Sequence, residues 1–184
     1  MELDMPQTAK PITEPEEQDL VISRTFDTPR DLVWKAWTEP ERLAEWWGPR
    51  GCTIRVKKLE LRVGGMFHYA MEYSTGSAMW GRFIYREIKA PERLAFVNSF
   101  SDEVGGITRA PFPQLRDTWP LEVLTTVTFT EAGDKTGMIL RARPINATAE
   151  ERAAFVGMLS SMQMGYGASF DALDAVLAKA AAAP

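Results

Sequence analysis

Hydrophobic and polar positions divide the chain into segments with different periods. In Leu20-Val21-Ile22-Ser23-Arg24-Thr25-Phe26 a β-branched and apolar run predicts a short first strand. Asp27-Thr28-Pro29 then reads as a helix start, with Thr28 as cap and Pro29 in the first turn. Leu32, Val33, Ala36 and Trp37 recur at helical spacing behind it. Thr38-Glu39-Pro40 restarts the pattern as a second short helix carrying Leu43, Trp46 and Trp47, which Gly48-Pro49 ends. Consecutive helical positions cannot both face inward, so one of Trp46 and Trp47 is expected in the core and the other at a cavity mouth.

From Cys52 the period changes toward two. Residues 52–62 read as a strand, and Gly64-Gly65 as a turn. In Phe67-His68-Tyr69-Ala70-Met71-Glu72-Tyr73 the large apolar groups fall on odd positions, the alternation of a half-buried strand. Met79 to Ile88 forms the next strand, with Trp80 on the face opposite Phe83 unless a bulge inverts it. Leu94, Phe96 and Phe100 alternate on a further one. Residues 101–118 lack a regular pattern and carry Gly105-Gly106, Pro111 and Pro113, which predicts a long loop acting as a mobile flap. Leu121–Thr130 and Thr136–Arg143 follow as strands around an Ala132-Gly133-Asp134-Lys135 hairpin turn. Short turns between consecutive strands imply an antiparallel sheet.

The last element opens on a capping box, Thr148 with Glu151. Phe155, Met158, Leu159, Met162, Tyr166, Phe170, Leu173, Val176 and Leu177 then recur every three or four residues. They predict a single helix of roughly 30 residues lying across the sheet. Gly165 and Gly167 inside it suggest either close backbone approach or open space. Residues 1–17, with Pro6, Pro11 and Pro15 among polar groups, read as a flexible leader ahead of one domain at 18–180.

Composition narrows the function classes. A net charge of −4 gives no electrostatic reason to bind nucleic acid or an anionic membrane. The single cysteine, Cys52, excludes an intrachain disulfide and fits a cytoplasmic setting. No apolar run suits a membrane span or a signal peptide. The single histidine, His68, alternates opposite Phe67, Tyr69 and Met71 and is expected on the outer, solvent face rather than as a catalytic base. One His and one Cys make no closed metal site, and no cofactor is implied. Arg109, Arg116 and Asp117 read as solvated loop charges, and Arg141 and Arg143 as surface partners of Glu87 or Glu122.

Several local motifs, in this order, resemble one family. Pro29-Arg30-Asp31-Leu32-Val33-Trp34-Lys35-Ala36-Trp37-Thr38 is similar to its first helix. Pro40 to Pro49 resembles its next block, and Arg62-Val63-Gly64-Gly65-Met66-Phe67 its glycine turn. Gly81 to Ile88 with Pro91-Glu92-Arg93-Leu94 resembles its central strand pair, and Gly165-Tyr166 stands where Gly-Trp is usual. The family is the one named after the activator of a heat-shock chaperone ATPase, within the START-like (SRPBCC) superfamily. Leu61 departs from its pattern, where an acidic residue is usual.

The resemblance implies an α+β helix-grip fold: a curved antiparallel sheet of six to seven strands around a long C-terminal helix, with two short helices after the first strand. It implies a cavity but no fixed chemistry. The expected lining is Phe67, Tyr69, Met71, Phe83 and Tyr85 from the strands, Met158, Met162 and Tyr166 from the helix, and Trp46 at the mouth. A binding module for a small hydrophobic ligand is the leading expectation. A cyclase or dehydratase acting on polyketide-like substrates and a chaperone-ATPase-activating module are the alternatives. A homodimer is left open.

Overall fold

The computed structural model describes residues 19–183; the leader expected at 1–17 lies outside them. The elements run β1 (Leu20–Phe26), α1 (Arg30–Thr38), α2 (Pro40–Trp46), β2 (Cys52–Leu59), β3 (Met66–Tyr73), β4 (Ala78–Lys89), β5 (Arg93–Ser101), β6 (Glu122–Ala132), β7 (Lys135–Ile145), α3 (Ala149–Gly157) and α4 (Leu159–Ala182). The strands make one seven-stranded sheet in the order β1-β7-β6-β5-β4-β3-β2, antiparallel throughout. This is the α+β helix-grip architecture that the motifs imply.

One face of the sheet carries the core. Register aligns Phe67 with Phe83, Tyr85 with Phe96 and Leu140 with Val127 on that face. Phe83 and Phe96 stack at 3.9 Å, and Trp37 and Trp46 meet at 4.7 Å above them. The Gly64-Gly65 turn positions β3 against β4. Gly64 sits at φ +78° and donates its N–H to the Tyr85 carbonyl at 2.8 Å, and a Cβ on Gly65 would lie 2.1 Å from the Glu60 carbonyl. Only glycine fits so close a backbone approach.

Several expectations need correction. Thr28 does not cap α1: Pro29 is the N-cap residue, and no side chain bonds there. Thr28 is buried, and its carbonyl accepts the Thr136 hydroxyl at 2.7 Å. The C-terminal segment is not a single helix. The Thr148–Glu151 capping box forms as expected, but α3 ends at Gly157 and α4 begins at Leu159, with Met158 between them at φ −100° and ψ 0°. The Met158 N–H reaches back to the Phe155 carbonyl, a tightened last turn at the poor helix former Gly157.

The surface pairs expected for Arg141 and Arg143 do not form. Glu87 pairs with Arg93 at 2.9 Å, and Glu122 accepts from Asn146 at 3.0 Å. Arg109 is not a free loop charge either, since it donates to Glu151 at 3.0 Å and ties the long loop to α3. Among the described residues, no helix is long and apolar enough to cross a membrane.

α4 splits its apolar stripe. Phe170, Leu173 and Leu177 are fully buried against α1 and α2, whereas Leu159, Met162 and Tyr166 are only half-buried. Arg24 on β1 fixes the far half by pairing with Asp171 at 2.7 Å and with Asp174. The Ser169 hydroxyl donates to the Gly48 carbonyl at 2.9 Å. The helix is thus pinned along its C-terminal half, while its N-terminal half stands over open space.

Candidate ligand-binding site

That space is a cavity of about 340 Å³ between the N-terminal half of α4, the sheet and the long loop after β5. The size is within the range of small-molecule sites. Four of the residues expected from the sequence line it: Tyr69 and Met71 on β3, and Met162 and Tyr166 on α4. Five others are not part of the lining. Phe67, Phe83 and Tyr85 are fully buried in the aromatic core beneath, Met158 sits at the helix break, and Trp46 packs on Trp37 with its indole N–H donated to the Ala36 carbonyl at 2.9 Å.

Trp47 takes the place foreseen for Trp46. Both indoles face inward, against the helical-spacing argument, because α2 ends at Trp46. Trp47 is extended, at φ −67° and ψ 143°, so the two side chains are not related by a helical turn. Trp47 packs edge-on against Phe83 at 5.0 Å and lies 6.3 Å from both Tyr69 and Tyr166.

The position of Tyr69 depends on a missing side chain. Gly81 pairs with Tyr69 across β3 and β4, and a Cβ on it would lie 2.6 Å from the phenol's Cζ and hydroxyl. The phenol end of the ring therefore overlies Gly81 on β4. Burial pushes the Tyr69 phenol well above its usual range, although the Trp47 indole N–H donates to its oxygen and partly opposes this. Burial likewise pushes Tyr166 up to about 12. Both hydroxyls stay protonated at any physiological pH. No charged side chain lines the cavity among the described residues.

The sequence reading missed Met79, Asn98, Phe112, Trp119 and Phe155 as lining residues. Asn98 carried a signal. It falls between Phe96 and Phe100 on the apolar phase of β5, so a polar amide occupies an inward position. Phe112 and Trp119 lie in the long loop, where no period exists to orient a side chain. Trp119 packs on Phe155 at 5.7 Å, and Phe112 on Phe100 at 6.1 Å, so the loop closes one wall.

His68 is the largest departure. It does lie on the face away from the cavity, but it is only 3% exposed because residues 102–106 fold back over that face. Its Nε2 donates to the Asp102 carbonyl at 3.0 Å, and its ring lies 4.9 Å from Trp80. Trp80 keeps the face that simple alternation assigns, since the β4 bulge falls later, between Tyr85 and Glu87. Arg82 donates to the Gly105 carbonyl at 2.6 Å and Lys57 to the Glu103 carbonyl at 2.5 Å, completing the seam. Burial, with Lys57 and Arg82 nearby, holds the His68 pKa below its usual value against the opposing effect of the Asp102 hydrogen bond.

Solved structures share this arrangement. A protein from Arthrobacter aurescens superposes with a TM-score of 0.73 at 24% identity, over 91% of this chain and 92% of its own. One from Mycobacterium smegmatis gives 0.69 at 24% identity, over 87% and 90%. A Silicibacter pomeroyi protein titled AHSA1 gives 0.64 at 18% identity, over 87% and 97%. At such identities the likeness is one of fold. No curated protein sequence is a significant match. Residues 27–178 match the model of one family, and with the motifs and the helix-grip fold this shows that the chain belongs to the Activator of Hsp90 ATPase homolog 1-like family.

Proposed function

We propose that this domain is a binding module that takes up a small hydrophobic molecule and performs no chemistry on it. The observation that carries the reading is the open cavity of about 340 Å³ under α4, walled by Trp47, Met71, Met79, Trp119 and Met162. Flexible methionines suit an apolar ligand, and the aromatic rings offer flat contact surfaces. An enzyme of the cyclase or dehydratase kind would need a proton donor or acceptor poised near neutral pH. The cavity's ionisable side chains are tyrosines that burial pushes away from that range. The single half-buried cysteine suits a reducing cytoplasm as the place of action.

Titration with N-phenyl-1-naphthylamine, a neutral dye that brightens in apolar surroundings, tests the reading. The wild type should show saturable uptake near one dye per chain, and Met162→Trp should abolish it while the domain stays folded. Native mass spectrometry of protein from its own host should then show a co-purifying small molecule. If there is no dye uptake and a chaperone ATPase co-purifies instead, the interaction-module alternative becomes the better account.

A further inference from the structure

The polar side chains that line the cavity are uncharged: Tyr69, Asn98 and Ser99 on the sheet floor, and Tyr166 and Ser169 on α4. Tyr69 reaches over Gly81, and Gly81 pairs with Phe100 on β5. Asn98 is the next inward residue on that strand, paired with Phe83. Gly81 and Asn98 are diagonal neighbours across β4 and β5, which on one sheet face puts them about 7 Å apart, so the Tyr69 phenol that overlies Gly81 brings its hydroxyl to the part of the floor that carries the Asn98 amide. The Asn98 side chain has no hydrogen-bond partner among the described residues, although it is half-buried. The Tyr69 oxygen accepts from the Trp47 indole, which leaves its own proton to donate into the cavity. Tyr166, whose hydroxyl is also without a hydrogen-bond partner among the described residues, lines the same space from α4. Nothing there compensates an ionised ligand, because no Lys, Arg, His, Asp or Glu lines the cavity among the described residues.

We propose that the cavity selects neutral, largely apolar molecules bearing a carbonyl or hydroxyl oxygen, with Tyr69 and Asn98 together holding that oxygen at the sheet floor. The proposal rests on the cavity-binding reading above and narrows it to a ligand class. Carboxylates such as free fatty acids are rejected, because a buried anion would meet only neutral groups. Hydrocarbons without a polar atom bind less well than ketones, esters or alcohols of the same shape, because they leave the Asn98 amide desolvated and unpaired.

The test is competition against N-phenyl-1-naphthylamine at pH 7.5 with three naphthalenes of similar size. Methyl 2-naphthoate offers a neutral carbonyl, 2-naphthoate an anion, and 2-ethylnaphthalene no acceptor. The ester should displace the dye at concentrations at least about 10-fold below those needed for the anion. Asn98→Leu and Tyr69→Phe should each weaken the ester by about 3- to 10-fold, the range expected for one neutral hydrogen bond, and leave 2-ethylnaphthalene within about twofold. Because Tyr69→Phe also strips the Trp47 indole of its partner, Asn98→Leu serves as the independent variant, and dye binding reports an intact cavity in both. If the anion competes as well as the ester, or if both variants weaken ester and hydrocarbon alike, the proposal fails while the cavity reading stands. If the wild type takes up no dye, the cavity reading itself fails and the proposal falls with it.

Discussion

Replacing His68 by alanine separates the observed structure from what alternation alone would say. An outward-facing residue on a solvated strand should tolerate the change within about 0.5 kcal/mol. The structure gives a different figure. The substitution removes the 3.0 Å donor to the Asp102 carbonyl and the ring packed on Trp80. The half-buried Asp102 carbonyl keeps the Gly105 N–H, so losing the imidazole donor costs about 0.5–1.5 kcal/mol, the net worth of one hydrogen bond. Losing the ring pair costs about 0.5–1.5 kcal/mol more. Residues 102–106 can relax toward water, which favours the low end, and Arg82 and Lys57 still hold them by the Gly105 and Glu103 carbonyls. We therefore expect a loss of about 1–2 kcal/mol in urea unfolding at pH 8.

The pH dependence provides a second readout. The folded His68 binds its proton less readily than the unfolded residue, whose pKa is near 6.5. The unfolded state therefore takes up more protons as pH falls below about 6.5, and the wild type loses stability over that range. Above it, the histidine's contribution is fully present. The alanine variant lacks this slope, so the gap between the two proteins should narrow from pH 8 toward pH 5. A difference below 0.5 kcal/mol at pH 8, or parallel pH profiles, would refute the buried seam.

Other outcomes follow from the same structure. Met162→Ala should cost less than the 2–5 kcal/mol typical of a solid core, since its side chain borders open space, and should change dye affinity instead; calorimetry with dye titration decides this. Gly65→Ala should fail to fold or lose well over 2 kcal/mol by denaturant titration, because the new Cβ would stand 2.1 Å from a backbone oxygen. In hydrogen exchange, the amides of Gly105, which bonds the Asp102 carbonyl, and Gly106, which bonds the Asp102 carboxylate, should be protected with or without ligand. Residues 111–120 should exchange quickly and slow when the cavity fills; uniform strong protection across 101–120 would argue against a moving wall.

The sequence by itself determined the order of elements, the sheet's antiparallel character and the inward phase of Tyr69 and Met71. Those follow from local periods of two and 3.6, which each short segment carries within itself. The capping box at Thr148 and the glycine turn at Gly64-Gly65 were legible for the same reason, since their partners lie within a few residues. The tertiary structure alone decided how deep each inward side chain lies. Phe67 and Tyr69 have the same phase, yet one is core and the other cavity wall, because Gly81 leaves room beside Tyr69 and α4 lifts off only over its N-terminal half. The burial of His68 depended on a loop arriving from 34 residues away, and the outward phase of its strand says nothing about such a cover. Trp47 turned inward because the helix ended one residue earlier, a boundary that the periodic pattern could not place.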